Sequence, residues 1–357
     1  MIDQASDIQV LPYLEGDSMA PLFLCGDSLQ VLQHLPSNSI DCAITSPPYW
    51  GQRSYENGGI GLEETPEEFI DNLLAIIAEI RRVLKPTGSF WLNLGDTYKN
   101  KSLLGIPWRV ALRMTDEQKW VLRNSVIWNK QKGGMDSTTD RLRNLHENFF
   151  HFVKSGKGYY YDSNSIRSKP RQATVKNGAV MSATGVSGKR YRRQIELSTS
   201  LTDQEKVNAF QALDNVLVRI ANGEISDFRM IIRDMHRATH SDQEKVSGRA
   251  RELIEKGFYF LFYHPNGTLP GDVWDIIPED SQKREKHYAV YPEDLCRVPI
   301  MSTCPPGGIV LDPFCGSGTT NKVALDLNRK SIGIDQSAEY LKLAKKRVTS
   351  ETLKILA

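Results

Sequence analysis

Two stretches of alternating strand and helix, separated by a long segment of different character, constrain this chain more than any other feature of it. In the first, Ile40 to Ile44 reads as a short buried strand running into Thr45-Ser46-Pro47-Pro48-Tyr49-Trp50. Thr65-Pro66-Glu67-Glu68 then offers an N-cap, a proline at the first helical position and a capping-box glutamate. Phe69, Ile70, Leu73, Leu74, Ile77, Ile80 and Leu84 recur at helical spacing behind it, until Lys85-Pro86-Thr87-Gly88 stops the helix and Ser89 to Leu94 forms the next strand. A helix around Trp108 to Gln118 and a strand from Val121 to Trp128 follow. Near the C-terminus, Ile309 to Leu311 is a strand, Thr319 to Leu327 a helix, Ser331 to Ile334 a strand and Ala338 to Val348 a helix. Such alternation predicts an α/β fold, a parallel sheet with helices on both faces.

Between these flanks the pattern changes, which predicts a second domain over 164–270, inserted between the halves 1–163 and 271–357 of the first. Charge marks the change. Six acidic residues and no basic one precede Arg53, although Lys and Arg total 45 against 43 Asp and Glu overall. No acidic residue interrupts the stretch between Asp162 and Glu196, which carries Arg167, Lys169, Arg171, Lys176, Lys189, Arg190, Arg192 and Arg193. With few large apolar residues and many Ser, Thr, Gly, Asn and Gln, that stretch reads as an exposed loop or mobile arm. The longest aliphatic run, Leu73 to Ala78, is too short to cross a bilayer, and the N-terminus lacks the basic start of a secretory signal. Five cysteines without metal-ligand spacing fit an intracellular, soluble protein better than a disulfide framework.

Two segments carry chemistry. Asp312-Pro313-Phe314-Cys315-Gly316-Ser317-Gly318-Thr319-Thr320 joins a strand to a helix, where glycines admit a ligand to the backbone and the helix start offers free N–H groups to an anion. It is not a phosphate-binding P-loop, because no Lys follows the second glycine, nor a dinucleotide fingerprint, because the third glycine is missing. Asp335, ending the next strand in Ile332-Gly333-Ile334-Asp335, is placed to accept hydrogen bonds from ribose hydroxyls, to cap the helix after Ser337, or both. In Ser46-Pro47-Pro48-Tyr49 the successive prolines fix a rigid turn after the strand. The Ser46 hydroxyl and the Pro47 carbonyl can then accept both hydrogens of an exocyclic amine while the ring of Tyr49 offers a stacking face.

Thr45-Ser46-Pro47-Pro48-Tyr49 and Asp312 to Thr320 resemble the catalytic and cofactor motifs of amino-directed DNA methyltransferases, and their order, catalytic motif first, is that of the family's beta group. Gly26-Asp27-Ser28-Leu29 and His287-Tyr288-Ala289-Val290-Tyr291-Pro292 are further, shorter matches. The resemblance covers both flanks, roughly Leu22 to Lys154 and Gly271 to Val348. It implies a Rossmann-like S-adenosylmethionine-dependent methyltransferase sheet, with 1–163 as its catalytic half, 271–357 as its cofactor-binding half and 164–270 as a target-recognition insertion. Asp312 and Phe314 would line the cofactor, Gly316 and Gly318 would admit its backbone contacts, and Thr319 would lie near its methionine carboxylate. Asp335 would hold the ribose and Asp27 the adenine end, while Ser46, Pro47, Pro48 and Tyr49 would face the reacting methyl group.

The amine of cytosine or adenine is conjugated with its ring and is a poor nucleophile. Two acceptors at Ser46 and Pro47 would favour a pyramidal nitrogen with its lone pair aimed at the methyl carbon, so positioning and directed dipoles would supply most of the acceleration. Taking the base out of the duplex costs a few kcal/mol, of which stacking on Tyr49 would return roughly 1–3 kcal/mol. The family's adenine-N6 enzymes usually carry Asp where this chain has Ser46, so Ser-Pro-Pro-Tyr resembles the cytosine-N4 type, with adenine-N6 as the alternative. Methylation at carbon 5 of cytosine would need a nucleophilic Cys, commonly after Pro, and this chain has no Pro-Cys. A protein-glutamine or ribosomal-RNA methyltransferase would usually begin the catalytic motif with Asn and place it after the cofactor loop.

The partner so implied is double-stranded DNA, and the usual setting is a cytoplasmic modification enzyme of a bacterial, archaeal or phage restriction-modification system, its endonuclease acting separately. Arg167, Lys169, Arg171, Lys189, Arg190, Arg192 and Arg193 would track phosphates. Arg229, Arg233, Arg237, Arg249 and Arg251 are candidates for reading bases. No metal is expected: His236 and His240 have helical spacing, but Arg237 stands where a zinc peptidase has Glu, and His146 and His151 would diverge on a helix.

Overall fold

A computed structural model describes residues 5–51, 59–131, 138–176, 179–183, 185–234, 248–278 and 291–355. The chain divides into two compact units, one formed by Met1–Ser165 with Gly271–Ala357 and the other by Ile166–Pro270.

The first unit opens with α1 (Ala5–Glu15), β1 (Leu22–Cys25), α2 (Ser28–His34), β2 (Ile40–Thr45), α3 (Pro66–Val83) and β3 (Leu84–Leu94). The small ladder of β4 (Tyr98–Lys99) and β5 (Ser102–Leu103) leads into α4 (Ile106–Asp116), β6 (Val121–Asn129) and β7 (His146–Val153). The second unit contributes β8 (Thr174–Lys176), β9 (Ala179–Met181), α5 (Gly188–Glu196), α6 (Asp203–Ala221), β10 (Asp227–Ile232), α7 (Arg249–Lys256) and β11 (Phe258–Tyr263). The first unit then resumes with β12 (Val273–Asp275), α8 (Glu293–Thr303), β13 (Ile309–Asp312), α9 (Thr319–Asp326), β14 (Lys330–Asp335) and α10 (Ala338–Ile355).

Eight strands form one sheet in the order β1-β14-β13-β2-β3-β7-β6-β12. From β1 to β3 the pairings are all parallel, whereas β7 runs antiparallel to both β3 and β6. The C-terminal strands β13 and β14 thus lie between β1 and β2. All six residues of β2 are buried, as expected of a central strand covered on both faces. Alternation along β3 sorts its side chains: Phe90, Leu92 and Leu94 join the core that contains Phe69, Leu73 and Ile77 of α3, while Trp91 joins the opposite core with Leu295 and Ile300 of α8. The capping box at α3 forms as read from the sequence, Glu68 N donating to Thr65 Oγ1 at 3.2 Å and Thr65 N to Glu68 Oε2 at 3.4 Å.

One expectation is overturned in the second unit. The basic run Lys189-Arg190-Tyr191-Arg192-Arg193 is not a loop or mobile arm but part of α5. Ser187 caps the helix by accepting from Arg190 N, and Tyr191 and Ile195, one turn apart, are buried in the unit's own core with Leu213, Val216 and Phe228. Two apolar residues at the right spacing suffice to anchor one face of an otherwise charged helix.

Candidate active site

Parallel pairing of Val310 with Cys42 and Leu311 with Ala43 sets β13 beside β2, so that both strands end at one edge of the sheet. Thr45, the last residue of β2, donates from Oγ1 to Asp312 Oδ1, the last residue of β13, at 2.8 Å. The two chemistry-bearing loops leave the sheet from these residues. Beyond β13, Asp312 pairs with Gly333 of β14, and Asp335 pairs with Cys25 of β1, one residue before Gly26-Asp27.

Asp312 is buried and fully engaged. Oδ1 accepts from Thr45 and from Phe314 N at 3.1 Å; Oδ2 accepts from Thr320 Oγ1 at 2.5 Å and Tyr291 OH at 3.0 Å. Burial pushes its carboxyl up while these donors pull it down. Its place is therefore behind the glycine loop, holding that loop and the end of β2 together. Of the segment His287 to Pro292, residues 287–290 lie outside the described residues; Tyr291 adds its hydroxyl to this cluster, hydrogen-bonded to Thr320 as well.

The loop itself is compact. Cys315 N donates to Ile334 O at 2.9 Å, Gly316 N to Asp335 Oδ2 at 3.0 Å, and Gly318 N to Cys315 O at 2.8 Å. Gly318 adopts φ +74°, and a Cβ on it would come within 2.9 Å of Ala344 Cβ, so α10 packs where only glycine fits. Gly318 also starts α9 without a side-chain cap. Phe314 is half-buried against the core, and Thr319 accepts from Arg347 Nη1 at 2.8 Å. Asp335 caps the last helix, Oδ1 accepting from Ser337 N at 2.8 Å, and the residue stands half-exposed at the edge, its carboxyl raised by burial. Asp27 caps α2 by accepting from Gln30 N at 3.1 Å and also accepts from Gln336 Nε2 at 3.0 Å.

Around Ser46 the structure brings in residues that the sequence reading missed. Ser46 Oγ lies 3.0 Å from Tyr49 OH, which donates to Glu147 Oε2 at 2.7 Å. Asn93 Nδ2 is 2.7 Å from Tyr49 OH, 2.7 Å from Glu147 Oε2 and 3.3 Å from Ser46 Oγ. Lys130 Nζ donates to Glu147 Oε1. Burial and the Glu147 charge drive the Tyr49 hydroxyl well above its ordinary pKa, so it stays protonated. Gly95 makes room for the ring, since a Cβ there would stand 2.6 Å from Tyr49 Cε2. Beside this group opens a cavity of about 380 Å³, whose lining includes Gly95, Asp96, Lys130, Arg141 and Glu147. The available signals were polar residues in apolar strands, Asn93 in Phe-Trp-Leu-Asn-Leu and Glu147-Asn148 ahead of Phe-Phe-His-Phe-Val.

The basic candidates divide. Lys189, Arg190 and Arg193 are exposed on one face of α5, lining a shallow depression of about 450 Å³ with Gln194 and Leu197. Arg192 pairs with Asp214. Arg167 Nη1 donates to Gly267 O at 2.7 Å, and Arg171 lies 3.8 Å from Asp227 and over the Tyr263 ring, while Lys169 is exposed. Arg233 is structural: it donates to Glu205, Ser200 O, Leu253 O and Ile254 O. Arg229 sits on β10, and Arg249 and Arg251 on α7; Arg237 lies outside the described residues, as do His236 and His240. His146 and His151 are on strand β7 rather than a helix. Among the described residues no group of three His, Cys, Asp or Glu is placed to hold a metal, and no helix is long and apolar enough to cross a membrane.

The sequence profile of a DNA methylase family covering N6 and N4 enzymes matches residues 40–346. The type II methyltransferase M.SmaI of Serratia marcescens is 28% identical, over 94% of this chain and 93% of its own length. M.SfiI of Streptomyces fimbriatus, also a type II methyltransferase, is 30% identical over 88% of each chain. Among solved structures, the cytosine-N4-specific PvuII DNA methyltransferase superposes with a TM-score of 0.53 at 18% identity, covering 92% of this chain and 89% of its own. A DNA modification methylase of Thermus thermophilus, TTHA0409, in complex with S-adenosyl-L-methionine, gives 0.51 at 19% identity, with 93% and 95% covered.

Proposed function

This chain belongs to the N6/N4 DNA methylase family, a beta-group amino-methyltransferase, and from that premise we propose that it methylates the exocyclic N4 amine of a cytosine turned out of double-stranded DNA. Its sheet is that of S-adenosylmethionine-dependent methyltransferases. S-adenosylmethionine, the family's methyl donor, supplies an electrophilic methyl group when bound.

The residues at the sheet edge fit that donor by their chemistry. Asp335 and Asp27 carry half-exposed carboxylates, acceptors suited to ribose hydroxyls and an adenine amine. The uncapped start of α9 at Gly318 and Thr319 suits a carboxylate, and the half-buried ring of Phe314 suits a purine face. Gly316 and Gly318 keep the loop low, and Asp312 fixes it from behind.

The observation that carries the reading is Ser46 at the carboxyl end of β2, one residue beyond the Thr45–Asp312 link and within 3.0 Å of the Tyr49 hydroxyl. Ser46 Oγ and the Pro47 carbonyl accept the hydrogens of the amine, Pro48 stiffens the turn, and Tyr49 gives the base a ring to stack on. A neutral hydroxyl in place of a carboxylate favours cytosine-N4 chemistry by the resemblance noted above. The unit Ile166–Pro270 serves as the target-recognition part, with Lys189, Arg190, Arg193 and the exposed Lys169 on phosphates and smaller shares from Arg167, Arg171 and Arg192, which are engaged within the unit. The type II relatives support a role as the modification enzyme of a restriction-modification system.

The test is to treat unmethylated duplex DNA with the purified protein and labelled S-adenosylmethionine and digest to nucleosides. Label in N4-methylcytosine supports the reading; label in N6-methyladenine alone overturns the base assignment.

A further inference from the structure

The hydrogen bonds around Tyr49 have only one consistent direction. A carboxylate accepts and cannot donate, so the single Tyr49 proton lies toward Glu147. The Ser46 hydroxyl, 3.0 Å from the same oxygen, must therefore donate to Tyr49. Its own proton committed, Ser46 turns a lone pair outward and meets an approaching amine as an acceptor only. Lys130 is ion-paired with Glu147, and Asn93 bridges Tyr49 and Glu147 from β3.

We infer that Glu147 is a positioning residue that sets the direction of a Ser46–Tyr49–Glu147 chain and is the destination of the proton the methylated amine releases. This rests on the proposed function and deepens it. The nitrogen lone pair makes the new bond to the methyl carbon, whose former bonding pair stays on the departing sulfur. The nitrogen then loses a proton to Ser46 Oγ, the Ser46 proton passes to the Tyr49 oxygen, and the Tyr49 proton passes to Glu147, which becomes neutral. Three O–H bonds form as one N–H and two O–H bonds break, and no residue but Glu147 changes charge. Glu147 lines the cavity of about 380 Å³, through which it returns the proton to solvent. A serine is too weak a base to hold that proton alone, and the high pKa of Tyr49 suits a relay that carries a proton without keeping one. The charged groups facing Glu147 are Lys130 at the end of β6, Asp96 beyond β3, Arg141 across the cavity and His146 on its own strand.

The experiment is single-turnover methylation of duplex DNA at saturating S-adenosylmethionine, with Glu147→Gln, Tyr49→Phe and the double variant, beside calorimetric titration of each with S-adenosylmethionine and with DNA. Glu147→Gln and Tyr49→Phe are expected to slow the reaction roughly tenfold to hundredfold while S-adenosylmethionine and DNA bind within about twofold of wild type. The double variant is expected to be no slower than the slower single one, as befits a single chain. Loss of rate with both affinities kept is what a role in the chemistry predicts, whereas a site merely distorted by the substitution would lose donor or DNA affinity as well. Wild-type rate in Glu147→Gln, multiplicative effects in the double variant, or a loss of rate matched by a loss of binding would overturn the inference. Should Glu147→Gln not fold, Tyr49→Phe decides by the same split between rate and binding. A wild-type protein that makes no N4-methylcytosine refutes the base reading instead, a separate result.

Discussion

Thr45 and Asp312, separated by 267 positions in the chain, are joined by a 2.8 Å hydrogen bond at the carboxyl ends of two neighbouring strands. The bond ties the last residue of the strand that presents Ser46 to the last residue of the strand that presents the glycine loop. Thr45→Val keeps the shape and removes the donor. It is expected to cost about 1–2 kcal/mol in urea unfolding, because Asp312 retains three other donors, and to raise the KM for S-adenosylmethionine more than it lowers donor-saturated turnover.

Asp335 holds Gly316 N and Ser337 N while remaining half-exposed. Asp335→Ala is expected to weaken S-adenosylmethionine binding by roughly tenfold to hundredfold, the loss of a charge-assisted hydrogen bond, with DNA affinity unchanged. Calorimetric titration with the donor alone and with DNA alone separates the two.

Gly95 tests the placement of the Tyr49 ring. In Gly95→Ala the added methyl would sit 2.6 Å from Cε2, closer than any real contact, so the ring must move. Turnover is expected to fall at least about tenfold with donor affinity retained, as a displaced stacking face should do. Equal kinetics in the variant would show that the ring position does not matter.

On α5 the exposed charges and the paired one should behave differently. Replacing Lys189, Arg190 and Arg193 by Ala is expected to weaken binding to every sequence and reduce the log–log salt slope by about 2–3. Arg192→Ala, already neutralised by Asp214, should change the slope by less than about 1. Fluorescence titration of a labelled duplex at several salt concentrations gives both.

His151 lies against Trp91, ring centroids 4.3 Å apart and planes at 2°, with Nε2 hydrogen-bonded to Ser89. Burial, aided by the Arg123 charge, lowers its pKa from 6.5 to about 3. Between those values the unfolded chain binds a proton that the native state refuses. Stability is therefore full above about pH 6.5 and lost as pH falls toward 3, by up to about 1.4 kcal/mol per unit from this residue. His151→Phe should flatten that part of the stability–pH curve, read from urea midpoints between pH 4 and 7 on a buffer series (roughly one-unit steps resolve it).

What the sequence made legible was whatever its chemistry kept contiguous. Ser46 to Tyr49 and Asp312 to Thr320 are each read within a few residues, and strand ends next to them point to a common edge. Asn93 and Glu147 were not legible because their meeting depends on register: period two puts them on one face of β3 and β7, but only the pairing of Asn93 with Phe149 and Leu94 with Asn148 makes them neighbours. The helix α5 was hidden by its own charge, since its buried anchors Tyr191 and Ile195 gain meaning only against Phe228 and Leu213 from later in the chain. Arg233 looked like a reader of bases for the same reason; its four partners are all non-local.

The sheet order β1-β14-β13-β2 carries a consequence for the protein's birth on the ribosome. β1 and β2 emerge early, yet they cannot lie side by side; the seat between them waits for Ile309–Asp312 and Lys330–Asp335. A nascent chain must hold two apolar strand edges apart until Asp335 has been translated, a demand of high contact order that slows maturation and invites chaperone attention. It also means that any chain broken off before Asp335 leaves the middle of its sheet unfilled, so partial products of this gene would neither mark DNA nor survive long.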